Sequence, residues 1–128
     1  MEPTDLRYHQ EHEWIRVEGK LATLGISNFA QDALGDIVFI DMPKAGTMVT
    51  AGQQIGEVES TKTTSSIYTP VSGKVAKTNA ELKDHPELVN ADPYGKGWIA
   101  VIELSSPKEV DALMTAAQYE SFLVSQKE

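Results

Sequence analysis

The side chains best placed to do chemistry lie in one short polar run, Ser60-Thr61-Lys62-Thr63-Thr64, between the β-prone stretches Gln54 to Glu59 and Ser66 to Thr69. That arrangement predicts Lys62 at or beside a turn joining two strands, where a side chain is exposed and reachable by another protein. A carrier needs that geometry. Most surface hairpins that hold a lysine nevertheless use it only as a solvated charge, so position alone does not decide the matter.

Other chemistries find little support. The chain has no cysteine, hence no disulfide framework, thiolate metal site, Cys nucleophile or redox pair of its own. His9, His12 and His85 are too scattered to suggest a metal site, and no paired-carboxylate spacing supports one, so no bound metal is expected. There is no Gly-x-Ser-x-Gly elbow and no phosphate-cradling glycine loop, which argues against independent catalysis. A formal net charge of −8 argues against nucleic acid as a partner and favours basic surfaces on partner proteins, or simple solubility. No window approaches eighteen consecutive apolar residues, so no membrane span is expected. The start, Met1-Glu2-Pro3-Thr4-Asp5, lacks signal-peptide and transit-peptide character. The expected home is the bacterial cytoplasm, with the mitochondrial matrix as the equivalent if the source is eukaryotic.

The elements that must position Lys62 follow from patterning. At 128 residues, 41% hydrophobic and 23% charged, the chain fits a single domain with a real core. Glu13 to Glu18 alternates apolar and polar residues, stops at Gly19-Lys20, and has Leu21 to Ile26 as its hairpin partner. Ser27 or Asn28 can cap a short helix over Phe29 to Leu34 that ends at Gly35. Asp36 to Met42 reads as a strand buried on both faces, closed by Pro43. Short β-prone runs at Met48-Val49, Gln54 to Glu59, Ser66 to Thr69, Gly73 to Thr78 and Trp98 to Leu104 continue an all-β sandwich or barrel pattern. Asn79 to Gly97 reads as a long ordered loop with one helical turn near His85 to Leu88, shaped by Tyr94 and Gly97. Trp14 and Trp98 read as core residues. From Pro107, Val110, Leu113, Met114, Ala117 and Phe122 fall at helical spacing, so one or two helices over about 107–126 close a β core of about 13–104. Pro43-Lys44-Ala45-Gly46 is echoed by Pro70-Val71-Ser72-Gly73, as two quasi-symmetric halves would be.

The residues around Lys62, Gly56-Glu57-Val58-Glu59-Ser60-Thr61-Lys62 through Tyr68-Thr69-Pro70-Val71-Ser72-Gly73, closely resemble the lipoyl-attachment hairpin of glycine cleavage system H proteins. The resemblance extends to His12-Glu13-Trp14, Gly25-Ile26, Leu34-Gly35-Asp36, Pro86-Glu87-Leu88-Val89-Asn90 and Pro93-Tyr94-Gly95-x-Gly97-Trp98. It implies a lipoyl-domain-like β sandwich/barrel hybrid with a short helix after the N-terminal hairpin and a C-terminal helical segment. It also implies lipoate as a covalent cofactor, joined by an amide to Lys62, and a non-catalytic role as a likewise monomeric carrier subunit. The implied task is to carry an aminomethyl group from glycine decarboxylase (P protein) to the tetrahydrofolate-dependent aminomethyltransferase (T protein), and electrons to dihydrolipoyl dehydrogenase (L protein).

Further site residues come with the resemblance. Glu59 and Ser60 are expected to help lipoyl-attaching enzymes or the partner enzymes recognise the hairpin, with Asp36 and Glu57 adding acidity or serving only as solvated acids. Glu13 is a candidate carboxylate for a cleft that shields the cargo's ammonium group by charge-assisted hydrogen bonding; the plainer alternative is an exposed acid on an edge strand. Ser66 stands where many family members have Asp or Glu, and Ala33 where some have His; Ser66 can hydrogen-bond an amine but brings no charge. A biotinyl domain fits worse, because Thr61 and Thr63 rather than Met flank the lysine. A 2-oxoacid dehydrogenase lipoyl domain also fits worse, because such domains have Asp before the lysine and belong to much longer chains. An unmodified H-like binding module, or a donor relaying lipoate to other carriers, stays open.

Overall fold

Alternating side chains in Glu13–Glu18 (β2) and Leu21–Ile26 (β3) form the expected antiparallel hairpin, reversed at Gly19, whose φ of 62° suits glycine. The structure is a computed structural model that describes residues 5–126, with side chains described as far as residue 125. Ser27 caps helix α1 (Asn28–Leu34) by accepting from the Ala30 amide, and Gly35 ends it. Strands β4 (Ile37–Asp41), β5 (Met48–Val49), β6 (Gln54–Ser60), β7 (Thr64–Tyr68), β8 (Gly73–Thr78) and β9 (Ala100–Leu104) follow, with β1 (Arg7–Tyr8) before them.

Every pairing is antiparallel, in a six-stranded sheet ordered β1-β2-β3-β9-β8-β5 and a three-stranded sheet ordered β4-β6-β7. Between them lies one apolar core, to which Ile15, Leu24, Val75 and Ile102 contribute from the larger sheet and Ile40, Val58 and Ile67 from the smaller. This is a mainly β sandwich/barrel. The two Pro-x-x-Gly echoes lie side by side, since Met48 pairs with Lys74, Val49 with Gly73, and the Gly46 amide donates to Val75 O at 2.7 Å.

A second cluster covers the outer end of the larger sheet. Trp14, Tyr8, Leu6, Ala116 and Tyr119 are buried there, with the Tyr8 and Tyr119 rings stacked at 4.5 Å. A 3₁₀ segment (Pro107–Ala112) and helix α2 (Ala116–Gln126) deliver Tyr119 to it.

Several expectations need correction. β4 is not buried on both faces: Val38 and Phe39 are 51% and 58% exposed. It is an edge strand of the smaller sheet, and a register shift between Ile37 and Phe39 leaves only Ile37 and Ile40 of the strand facing the core. Trp98 lies just outside β9 and is half-buried beneath Lys77, whereas Trp14 is wholly buried. The stretch from Asn79 to Gly97 holds two short helical segments, Glu81–Asp84 and Leu88–Ala91, rather than one turn. Ala117 faces solvent while Ala116 and Tyr119 are buried, because the 3₁₀ segment and α2 are separate pieces and one helical phase does not run through both.

Candidate functional site

The β6–β7 hairpin puts Lys62 at its tip. Glu59 pairs with Thr64, the Ser60 amide donates to Thr63 O at 2.8 Å, and Thr61 and Lys62 span the gap between. Ser60 is the knot of this turn. Its side chain is almost wholly buried; its hydroxyl donates to Thr63 O (3.1 Å) and accepts from the amides of Lys62 (3.2 Å) and Thr63 (3.1 Å). A hydroxyl both donates and accepts, so one small side chain satisfies three backbone groups that an open turn would leave to water.

The turn is also held from outside. The Thr61 amide donates to Asp36 O at 3.0 Å, which ties the tip to the segment between α1 and β4. The stem of Lys62 leans over Gly35, where an added Cβ would stand 3.1 Å from Lys62 Cε. Its φ of 82° is what demands glycine at Gly35, since the exposed Lys62 stem could shift to make room for a Cβ. Lys62 itself is exposed, and among the described residues no ion pair holds its amine. An amine so presented can enter a partner's active site without first breaking a bond at home.

Glu59, half-buried, stands opposite Phe39 and Thr64, and exposed Glu57 stands opposite Asp41 and Ser66. With Asp36 these carboxylates give the tip an acidic flank beside the exposed Val38 and Phe39. Ser66 lies half-buried midway along β7. Ala33 is exposed near the end of α1.

Glu13 is not the exposed edge-strand acid of its plainer reading. It is 1% exposed, on a strand flanked by β1 and β3, so it is neither surface nor edge. One carboxylate oxygen meets His9 Nδ1 at 2.8 Å and the other accepts the Tyr68 amide at 2.9 Å. Tyr68 is four residues along β7 from Thr64, roughly 13 Å at about 3.3 Å per residue. The structure thus gathers Lys62, Ser60 and Glu59 at the tip and sets Glu13 at the hairpin's base. Burial pushes the Glu13 carboxyl above the ordinary range, and its bonds to His9 and Tyr68 pull the other way.

Three supports were not read from the sequence as parts of a site. His9 became Glu13's partner because the connection at His12, with φ of 77°, folds β1 back on β2. His12 Nδ1 meets Tyr119 OH at 2.8 Å, and that hydroxyl meets buried Ser27 Oγ at 2.7 Å; burial lowers the His12 pKa. Asn90 bonds the Gly35–Ile37 segment behind the tip. All three are contacts between residues remote in sequence or joined by an unusual backbone angle, which neither periodicity nor motif encodes. Among the described residues no group of three or more His, Cys, Asp or Glu side chains could hold a metal ion. No described helix is long and apolar enough to cross a membrane.

A model of the family described as glycine cleavage H-protein matches residues 6–126. The glycine cleavage system H protein of Symbiobacterium thermophilum is 53% identical over 120 residues, covering 94% of each chain. That of Myxococcus xanthus is 52% identical over 121 residues, again covering 94% of each. Among solved structures, the crystal structure of a glycine cleavage system H protein from Mycobacterium marinum superposes with a TM-score of 0.86 at 38% identity, covering 93% of this chain and 96% of that one.

Proposed function

The chain belongs to the glycine cleavage H-protein family, whose members are carrier subunits of the glycine cleavage system, and from that premise we propose that Lys62 is where this carrier bears lipoate. One observation carries the proposal. Lys62 is an exposed amine without an ion-pair partner among the described residues, at the tip of a hairpin whose backbone is pinned by Ser60 and Asp36. The residues fit a lipoyl amide on Nζ: nothing in the turn competes for the nitrogen, and the stem already points along the open surface over Gly35.

When attached, the lipoyl group supplies a cyclic disulfide able to take up an aminomethyl group and electrons, chemistry that a chain without cysteine lacks. The chain's own residues present it. Tethering at an exposed tip raises the effective concentration of the group at each docked active site. The partners proposed are the glycine decarboxylase, the tetrahydrofolate-dependent aminomethyltransferase, the dihydrolipoyl dehydrogenase and the lipoyl-attaching enzymes, meeting a monomeric carrier in the bacterial cytoplasm. None of its side chains acts as a catalyst. Ser60 shapes the turn that those enzymes recognise, and Glu59 marks its acidic side. Ser66 is the polar group met midway along β7, and Glu13 supports the hairpin from beneath. With both carboxylate oxygens engaged, Glu13 takes up a cargo ammonium only by releasing His9 or the Tyr68 amide.

Intact mass of the natively produced protein tests the assignment. A lipoyl-sized increment is expected and is lost in Lys62→Ala; an increment that survives the substitution overturns the site. Reconstitution with the three active enzymes is expected to give glycine-dependent turnover with the loaded protein and none with Lys62→Ala. Absence of turnover with the loaded protein overturns the assignment of these partners.

A further inference from the structure

The short segment Gly35-Asp36-Ile37 is gripped from two sides. On one side, the Asp36 carbonyl accepts the Thr61 amide of the carrier turn at 3.0 Å. On the other, the side-chain amide of Asn90 pairs with the backbone as a neighbouring strand would. Its Nδ2 donates to Gly35 O at 2.8 Å, and its Oδ1 accepts the Ile37 amide at 3.0 Å. The Asp36–Ile37 peptide group is therefore held at both ends, its carbonyl by the Thr61 amide and its N–H by Asn90 Oδ1, while Gly35 O just before it is held by Asn90 Nδ2. The orientation of the Asn90 amide is fixed by its partners, since Gly35 O only accepts and the Ile37 N–H only donates.

Asn90 is itself held. Its second N–H reaches Gln31 Oε1 at 3.0 Å, and Gln31 Nε2 donates to Asn28 Oδ1 at 2.9 Å, so the chain of bonds runs back along α1. Asn90 sits in the Leu88–Ala91 helical segment, half-buried, with its oxygen and both N–H groups engaged. A side chain so fully committed to backbone directly behind Lys62, and so far from it in sequence, does more than fill space.

We propose that Asn90 is a positioning residue for carrier loading: by bracing Gly35–Ile37 from behind, it holds Thr61 and Lys62 in the pose that a lipoyl-attaching enzyme accepts. The inference rests on Lys62 being the acceptor. Without the brace the Asp36 carbonyl wanders, the turn spreads over several poses, and only the fraction in the right pose binds. A loss of that kind raises the apparent KM for the carrier and spares kcat, because each productive complex is unchanged.

Asn90→Asp is the sharpest variant. It is isosteric and keeps the bond from the Ile37 amide, yet sets a carboxylate oxygen against Gly35 O. Asn90→Ala removes both bonds, and Gln31→Ala leaves Asn90 its two backbone bonds while freeing its second N–H. With a lipoate-attaching ligase, lipoate and ATP, followed by intact mass, KM for the Asp and Ala variants is expected to rise about tenfold with kcat held, and for Gln31→Ala less. In the unmodified proteins, hydrogen exchange of the Thr61 amide is expected to speed at least tenfold while Val58, in β6 of the same hairpin, keeps its protection. That exchange measurement needs no lipoate. Fast Thr61 exchange with unchanged loading, or unchanged exchange with any loading, overturns the proposal. So does a uniform loss of protection across the chain, which marks Asn90 as a general stabiliser. If the wild-type protein takes no lipoate at Lys62 under the same conditions, the Lys62 reading fails first and this inference falls with it.

Discussion

At its tip the β6–β7 hairpin exposes Thr61, Lys62, Thr63 and Thr64; towards its base Gly56 and Ile67 are buried. Gly56 lies under the Asp41 carbonyl so closely that an added Cβ would overlap the oxygen, and the Tyr68 amide is bonded to Glu13, one of the most buried side chains in the protein. One end offers an exposed amine, and at the other Gly56 has no room for a side chain. A carrier that visits several partners gains from that division, because a fixed base gives each partner the same surface to grip while the exposed Lys62 side chain can reach into its active site. Tip substitutions should therefore alter loading and spare stability, and base substitutions should do the reverse.

The largest contrast comes from Gly56→Ala against Lys62→Arg. At the base a methyl group has nowhere to go, because the obstacle is backbone. β4 and β6 must part locally, at a cost of about 3 kcal/mol, close to 10 °C in Tm for a chain of this size. Lys62→Arg should leave stability within about 0.5 kcal/mol and take up no lipoate at all. Thermal unfolding and intact mass on the two proteins measure both halves. A destabilised Lys62→Arg, or a Gly56→Ala of native stability, would break the division between tip and base.

Ser60→Ala falls between the two ends, since Ser60 is the buried residue from which the exposed turn springs. Its hydroxyl serves three backbone groups, but the amides of Lys62 and Thr63 lie where water can replace it, so the expected loss is about 1 kcal/mol in denaturant unfolding. Loading should slow without stopping. A loss of several kcal/mol would move Ser60 to the base in energetic terms, and no loss would make the knot dispensable.

The tip was far easier to read from the sequence than its supports, for a physical reason. Lys62, Ser60 and Glu59 are neighbours in the chain, and the turn that joins them is announced by β-prone runs on both sides. The cap at Ser27, the stop at Gly35 and the β2–β3 hairpin are equally local and were legible in the same way. What failed depended on partners remote in sequence. β4 looked doubly buried because Ile37-Val38-Phe39-Ile40 is apolar throughout, and only the sheet order and the bulge expose Val38 and Phe39. Ala117 was misplaced because a 3₁₀ segment resets the helical phase before α2. His9, Asn90 and Tyr119 carry no local signal, since each earns its contacts from a fold that brings distant strands and helices together.

Glu13→Gln should have the smallest effect, and its sign tests whether the base is as dry as it looks. Burial raises the Glu13 carboxyl above its ordinary value of 4.5, so the folded protein binds a proton there more readily than the unfolded chain does. The stability this group contributes is therefore complete below that ordinary value and is lost as pH rises through the raised, folded-state value. Glutamine has no such titration. It keeps an oxygen for the Tyr68 amide and presents an N–H₂ towards His9, so at neutral pH the variant should lie within about 1 kcal/mol of the wild type. The wild type's relative advantage should grow as the pH is lowered towards 4.5, measured by denaturant unfolding across that window. Loading at Lys62, at the far end of the hairpin from Glu13, should not change. A difference that is flat with pH would mean that His9 offsets the whole cost of burying the charge, and one that grows towards neutral pH would mean that the ionised carboxylate is a net stabiliser of the base.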